Sequence, residues 1–481
     1  MPKFVFLWTD LVLWLVVAAC IVYAVHVRHS ADLRATWRHV LQDTPAMCAA
    51  VALCIFIALA LLDSIHFRQQ LSAAPDAATD APIAYATRTI SPLDALLHGA
   101  IEAREKTYSV PLAYWSFQRE PAVVDGREVR LFPRLIHGGA HLQDPERDWK
   151  PDLLTRSLQG LLWGSIAAVA LTAVVAGLRR GRAGGWRRSL LQIARGDTEA
   201  PWRAMLLTAA AIAIFVGWLV AVWPAYHPFG TDRTGNDVLY QALKSVRTAV
   251  VIGSLSTIAT LPLAIALGVL AGYFKGWVDD AIQYFYTVLS AIPPILLVVA
   301  FVLLINVYID RNAESFATGV ERAELRLFLL CMILGITGWA TLCRLLRAET
   351  LKISELEYVQ AAHAFGVSHW RVMRRHILPN VMHLVLIVAV LDFSALVLYE
   401  AVLSYVGVGV DPNSSSFGSM INLARSEMSR DPAVWWNLAT AFTFMLALVL
   451  AANLFADAVR EAFDPRARAF RPRRVRLKEA T

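Results

Sequence analysis

The stretch Glu357-Tyr358-Val359-Gln360-Ala361-Ala362-His363-Ala364-Phe365-Gly366, continuing through Arg371 to Leu378-Pro379-Asn380, is a short polar and basic island between two long apolar runs. Leu356, Val359, Ala362 and Phe365 recur at three-residue spacing, which predicts one apolar face on a short helix. Gly366 ends or bends that helix, and Pro379 restarts the chain before the next apolar run. The residues alone leave three readings open. The island is an amphipathic element lying on a membrane, a docking knob for a soluble partner, or a basic loop that merely follows the positive-inside rule.

The composition settles the class. The 481 residues are 57% hydrophobic and only 17% charged, with a mean hydropathy of +0.50, where a soluble chain carries roughly a quarter charged residues. The apolar residues come in blocks, so the fold class is all-α: a polytopic transmembrane helical bundle. A net charge of +7 raises nucleic acid as a partner, but the basic residues gather between apolar blocks, where membrane topology accounts for them. Nucleic-acid binding is therefore not expected. Cys20, Cys48, Cys54, Cys331 and Cys343 all lie inside apolar blocks and read as packing residues. Val17-Ala18-Ala19-Cys20 resembles a lipoprotein cleavage box, yet Asp10 interrupts the run before it and apolar sequence continues to Val25. An uncleaved span is the better reading.

Runs of about twenty apolar residues predict spans near 5–27, 46–65, 155–178, 204–223, 249–273, 283–308, 326–345, 382–403 and 437–458. Nine crossings place the basic clusters after the first, third and ninth spans and around 344–375 on one side, which is the cytoplasmic side. Lys244 and Arg247 break that rule near the outer surface. The chain divides into N-terminal spans (1–65), an outer segment (66–154), a transmembrane hairpin (155–223), a core (224–460) and a basic tail (461–481). The outer segment, short of apolar residues, reads as a small extracytoplasmic domain or a disordered linker.

Several motifs carry a resemblance. Ala361, Ala362, Gly366, Leu378 and Pro379 are similar to the "EAA" loop of permease subunits in binding-protein-dependent ABC importers, with Gln360 in place of the family's Glu. His227-Pro228-Phe229-Gly230-Thr231-Asp232, Gly235 and Asp237-Val238-Leu239 resemble the signature of oligopeptide, dipeptide and nickel permeases, with Asn236 where that family usually has Arg. Gly272–Asp279, Leu403–Gly409 and Val459–Arg466 match further turns of the second, C-type, permease. The resemblance covers the chain from Pro224 onward. It implies the type I importer bundle with extra N-terminal spans, or with 46–65 as its first span and 155–178 with 204–223 as an inserted hairpin, in a bacterial cytoplasmic (inner) membrane. Its partners would be a second permease, two ATPase subunits and an extracytoplasmic solute-binding protein. Tyr358, Val359, Gln360, Ala361, Ala362, Phe365, Gly366 and Pro379 would form the coupling segment seated in an ATPase cleft. The cargo would be di- or oligopeptides, with nickel or an opine-type solute as the alternative.

The chemistry within the chain agrees with a transporter rather than an enzyme. No Gly-Lys-Ser/Thr phosphate loop, His-Glu-x-x-His or nucleophile elbow occurs, so no catalytic residue, metal site or cofactor is expected here. ATP and Mg²⁺ would belong to the partner ATPase. Asp392 and Glu400 interrupt the 382–403 run and should face protein or water rather than lipid. Asp392 lies either in the translocation path, facing a cationic peptide terminus, or in a structural hydrogen bond. Glu400, nearer the outer interface, reads as structural, with the path as its other place. Pro293 and Pro294 inside a predicted span, and Pro262 inside another, predict kinks that serve as hinges or as packing curvature. Two other classes remain: a membrane sensor or scaffold whose outer segment binds a ligand, and an ion-coupled transporter. The latter would show several intramembrane charges and an inverted repeat.

Overall fold

The computed structural model describes residues 3–70, 85–86, 89–124, 127–312, 314, 316, 318–411 and 414–463. The arginines of the basic tail beyond Phe463, and the Asp464-Pro465-Arg466 end of the last motif, lie outside them. Strand β1 (Lys3–Val5) leads into α1 (Trp8–His29), α2 (Ala31–Gln42) and α3 (Thr44–Asp63), and β2 (His66–Arg68) returns antiparallel to β1. Short helices α4 (Pro92–Leu96) and α5 (His98–Glu102) precede a hairpin of β3 (Glu120–Val124) and β4 (Arg127–Leu131). Helices α6 (Pro145–Ala183), α7 (Trp186–Arg195) and α8 (Trp202–Val222) follow. The remainder comprises α9 (Val238–Phe274), α10 (Gly276–Ala291), α11 (Pro294–Arg311), α12 (Gly319–Ser354), α13 (Glu357–Ala364) and α14 (His369–Val372). It closes with α15 (Leu378–Tyr405), α16 (Phe417–Met428) and α17 (Trp436–Phe463).

Among the described residues nine helices are long and apolar enough to cross a membrane, so the chain is a multi-pass membrane protein. Eight of the predicted spans fall on one helix each. The span predicted at 283–308 does not: α10 ends at Ala291 and α11 starts at Pro294. Ile292, the residue before Pro293, is forced into extended backbone, so the two prolines break the helix instead of bending it. Pro262, by contrast, lies inside an uninterrupted α9. Several helices outrun their apolar runs, because a backbone ladder continues past the lipid boundary while hydropathy does not.

Two parallel helices, α9 and α12, form the spine. Gly268 lies against Cys343 and Leu346, where a Cβ would come within 2.9 Å of the Cys343 carbonyl. Gly272 lies against Arg347 and Thr350, with 2.7 Å to the Arg347 carbonyl, and Gly335 presses on Ala259 in the same way. Small residues let the two backbones approach, which is how helices pack where lipid removes the hydrophobic drive. Leu13 of α1 and Ala60 of α3 join the same buried cluster as Val246, Ile252, Leu330 and Leu448, so these N-terminal spans are part of the bundle. Helices α6 and α8 pack on each other at Gly160, Gly164 and Gly217 and meet the bundle through α3.

The outer segment is bound to the start of α9 by backbone. Glu105 donates its N–H to the Gly235 carbonyl at 3.0 Å, and Leu112 donates to the His227 carbonyl at 2.9 Å. Gly230 and Gly235, at φ +73° and +78°, lie so close to the Ser109 and Glu105 carbonyls that any side chain would collide. The Glu105 carboxylate accepts three backbone N–H groups, from Ile136, His137 and Gly138, at 2.8–2.9 Å. Its neighbour His227 lies 3.5 Å away and holds Asp237 at 2.8 Å. Burial pushes Glu105 up, but the His227 ring and those N–H donors outweigh it and bring the carboxyl from 4.5 down to about 2. Burial likewise pulls His227 down, and the two carboxylates outweigh it, raising the ring from 6.5 to about 9.

The signs are opposite. The Glu105 contribution is present above about 4.5 and lost as pH falls toward 2, whereas the His227 contribution is full below 6.5 and lost as pH rises through 9. Protection from hydrogen exchange across 105–142, taken relative to the intrinsic rate at each pH, should therefore be greatest between these limits and fall above pH 9. Replacing His227 with Gln should flatten the alkaline limb; an alkaline limb that persists in H227Q would assign it to another group.

Candidate functional site

The island at 357–380 folds as a helix, a tight stop and a re-entry. Helix α13 ends in two reversed hydrogen bonds, Val367 N–H to the Ala362 carbonyl at 3.1 Å and Gly366 N–H to the His363 carbonyl at 2.9 Å. Gly366, at φ +75°, takes the left-handed position such a stop requires. Pro379 does not restart the chain. Helix α14 runs through a π turn at Met373–Ile377 directly into α15. That wider turn accommodates a proline, which lacks an N–H and crowds the carbonyl four residues back.

The predicted apolar face does not hold together. Val359 is completely buried and Ala362 packs beside it against the cluster containing Ile353, Val372 and Ile377. Leu356 is exposed, and Phe365 is 87% exposed. A strict three-residue repeat loses about 60° per step against a helix of 3.6 residues per turn, so Phe365 ends about opposite Leu356. Consequently α13 has an inward anchor and an outward tip. Also exposed on this segment are Tyr358 of α13, at 45%, and Trp370 of α14, at 69%, with Arg371, Arg374 and Arg375. Gln360 and Ala361 lie on the same outer side. Trp370 was missed by sequence reasoning; its signal was an aromatic residue among basic ones just past the Gly366 stop.

Three braces hold this tip. The hydroxyl of Tyr273, on the last turn of α9, lies 3.0 Å from His363 Nε2 and 2.8 Å from His369 Nδ1. Lys275 pairs with Glu355, and Gln360 Nε2 donates to the Glu355 carbonyl at 3.2 Å. Asn380 Nδ2 donates to the Tyr358 hydroxyl at 3.0 Å, joining α13 to the start of α15. Below them Arg347 of α12 grips Asp279 of α10 through two bonds of 2.5 and 2.6 Å.

At the opposite end of α9 a cavity of about 1110 Å³ opens between α4, α5, α12 and α16. Its wall contains the two residues that break the positive-inside pattern, and both are neutralised by carboxylates. Arg247 bonds Asp10 of α1 at 2.5 Å and Glu324 of α12 at 2.7 Å. Lys244 bonds Asp63 of α3 at 2.5 Å and Asp94 at 3.0 Å. His66 closes on Asp10 at 2.7 Å. Burial pushes the Asp94 carboxyl up, but Lys244 prevails and holds it below the ordinary value.

The four candidate pathway residues do not gather in one place. Pro294 lines a second cavity of about 400 Å³ in the membrane region, with Thr337, Thr341, Arg344 and Tyr399. Glu400 is buried and accepts from Ser404 Oγ at 2.6 Å and Ser416 Oγ at 3.0 Å, which ties α15 to the cap of α16. Asp392 is half-buried on α15 and has no hydrogen bond or ion pair among the described residues. Pro293 caps α11.

Removing one hydroxyl tests the brace. Tyr273→Phe should cost about 0.5–1.5 kcal/mol locally and raise hydrogen exchange at 357–366 roughly two- to tenfold, while 238–262 stay protected. Unchanged exchange in α13 would show that the Tyr273 hydroxyl does not hold it.

Comparison with known proteins agrees with this architecture. Residues 264–469 match the family model described as "Binding-protein-dependent transport system inner membrane component". The oligopeptide transport system permease protein OppC of Mycobacterium tuberculosis is 29% identical over 245 residues, 51% of this chain and 78% of that protein. The glutathione transport system permease protein GsiD of Pectobacterium atrosepticum is 29% identical, covering 58% of this chain and 98% of its own length. The peptidoglycan transport system permease protein YejE of Agrobacterium fabrum is 33% identical over 49% of this chain and 56% of its own. With α9 to α17 arranged as a bundle that presents a braced helix on its basic side, residues 264–469 of this chain are similar to the binding-protein-dependent transport system inner membrane components.

Proposed function

We propose that this chain is the permease of an ATP-driven importer for di- and oligopeptides in the bacterial cytoplasmic membrane. It pairs with a second permease, two ATPase subunits that bind ATP and Mg²⁺, and an extracytoplasmic solute-binding protein. The observation that carries the coupling role is the tip of α13: Tyr358, Phe365 and Trp370, exposed beside arginines and braced to α9, α12 and α15. Aromatic and arginine side chains are the residues that dominate protein–protein interfaces. A surface-lying loop has no need of such a brace, and a sensor has no need of such a tip. Peptide cargo is supported by relatives named for oligopeptide, glutathione and peptidoglycan transport.

Crosslinking tests the coupling. Cysteine at Phe365 should form a disulfide or short-linker product with a co-expressed ATPase partner, and Phe365→Ala should lower ATP-dependent uptake at least about tenfold, as loss of an interface anchor worth about 2 kcal/mol does. A scan of 358–370 with no crosslink would remove the role.

Asp392 tests the path. A half-buried carboxylate without a partner among the described residues is suited to a cationic peptide terminus. Asp392→Asn should reduce uptake of peptides with a free amino terminus several-fold, leave N-acetylated peptides unchanged and preserve assembly. Equal effects on both peptide classes would place Asp392 outside the path.

A further inference from the structure

Helix α7 links the inner ends of α6 and α8, outside the part of the chain that matches the family model. Gly184 and Gly185, at φ +72° and +137°, turn the chain sharply out of α6 so that α7 starts as a separate helix. Apart from the half-buried Gln192, its residues divide around the axis into three successive faces. Ser189 and Ile193 are buried, and Ile193 packs with Ala176 of α6 and Leu206 of α8. Next round the helix come Trp186, Leu190 and Ala194, exposed and without protein cover, with Trp186 51% exposed. Arg187, Leu191, Arg195 and Arg188 complete the turn, all exposed, and the three arginines make no ion pair among the described residues.

An apolar arc beside an arginine arc, pinned at the height where two spans end, fits one surroundings. The Trp186–Leu190–Ala194 face meets acyl chains and the arginines meet headgroups. A guanidinium makes its strongest bonds to an anionic oxygen, and these clustered arginines have that demand unmet among the described residues. We infer that α7 is a docking site for anionic phospholipid of the inner leaflet, with Arg187, Arg188 and Arg195 as its headgroup ligands. The site sits on the α6–α8 hairpin, which reaches the bundle through α3, so it anchors the hairpin to the bilayer independently of what the bundle carries.

The test uses the full chain in mixed micelles with equal dioleoyl-phosphatidylglycerol and dioleoyl-phosphatidylcholine, and counts retained lipid by native mass spectrometry. Wild type should retain phosphatidylglycerol preferentially, and R187Q/R188Q/R195Q should weaken that preference roughly tenfold or more, since each arginine near an anionic surface contributes separately. R187K/R188K/R195K should keep most of it, and raising salt on the wild type should erode it. Equal retention of the two lipids by wild type, or an undiminished preference in the Gln variant, would overturn the site. Because the wild-type lipid comparison and salt series need no substitution, a poorly folding variant leaves the proposal exposed to refutation.

Discussion

The close approach of α9 and α12 is the constraint on which the rest of the structure depends. Helices of 37 and 36 residues run about 55 Å at 1.5 Å per residue, well beyond the about 30 Å of bilayer hydrocarbon. Gly335, Gly268 and Gly272 hold them together from Ala259 to Gly272 on α9 and from Gly335 to Thr350 on α12. The pair therefore behaves as one beam. Its outer end holds Arg247 against Glu324, and its inner end holds Tyr273 beside the histidines and Lys275 beside Glu355. A displacement of α13 is delivered to that beam through Tyr273, Lys275 and Gln360 rather than absorbed in a loose loop.

The same beam explains why α1 and α3 are integral. Arg247 is buried, and a guanidinium at that depth without carboxylates would carry a heavy desolvation cost. Glu324 supplies one carboxylate from within the core, and Asp10 of α1 supplies the second. Lys244 draws Asp63 of α3 and Asp94 of the outer segment in the same way. Asp10 would be equally costly on a lone α1 in lipid. Each charge is tolerable only because the others are present, so the outer cavity, the first spans and the core form one electrostatic unit. The charges stand at the outer ends of their helices and neutralise one another, unlike the mid-membrane relay an ion-coupled carrier uses.

Most of the bundle was legible because twenty-residue apolar runs admit little but helix. What stayed hidden follows from what hydropathy leaves unread. It merges α10 and α11 across Pro293, since both flanks are apolar and only the backbone of Ile292 records the break. Nor does it register α7, whose arginines dilute its apolar residues, or the partners that make Lys244 and Arg247 acceptable, because those lie on α1, α3 and α12. At the 357–366 segment, Gly366 announced its stop correctly. The three-residue spacing from Leu356 to Phe365 misled, because a repeat of three on a helix of 3.6 spirals away from any single face. The motif around His227 was recognisable, but its work, a histidine between Glu105 and Asp237 joining two segments far apart in sequence, appears only in three dimensions.

The division of α13 into an inner anchor and an outer tip bears on how force could pass through so small a helix. Shifting a two-state bundle from 1:99 to 99:1 requires about 5.5 kcal/mol of differential contact. A single exposed aromatic anchor contributes about 2 kcal/mol at an interface, so Tyr358, Phe365 and Trp370 together are of the right order if they are gripped in one state and released in the other. The inner side must then resist a comparable load. Val359 is fully buried, and three separate elements hold α13 through Tyr273, Glu355 and Asn380. A helix secured by one contact would pivot; one secured on three sides has to carry its neighbours with it. The Gly366 stop is what allows this geometry, because it ends α13 in a left-handed turn and returns the chain through α14 to α15. Load applied at the tip is thereby split between α9 and α15, two helices that pack against each other across the bundle.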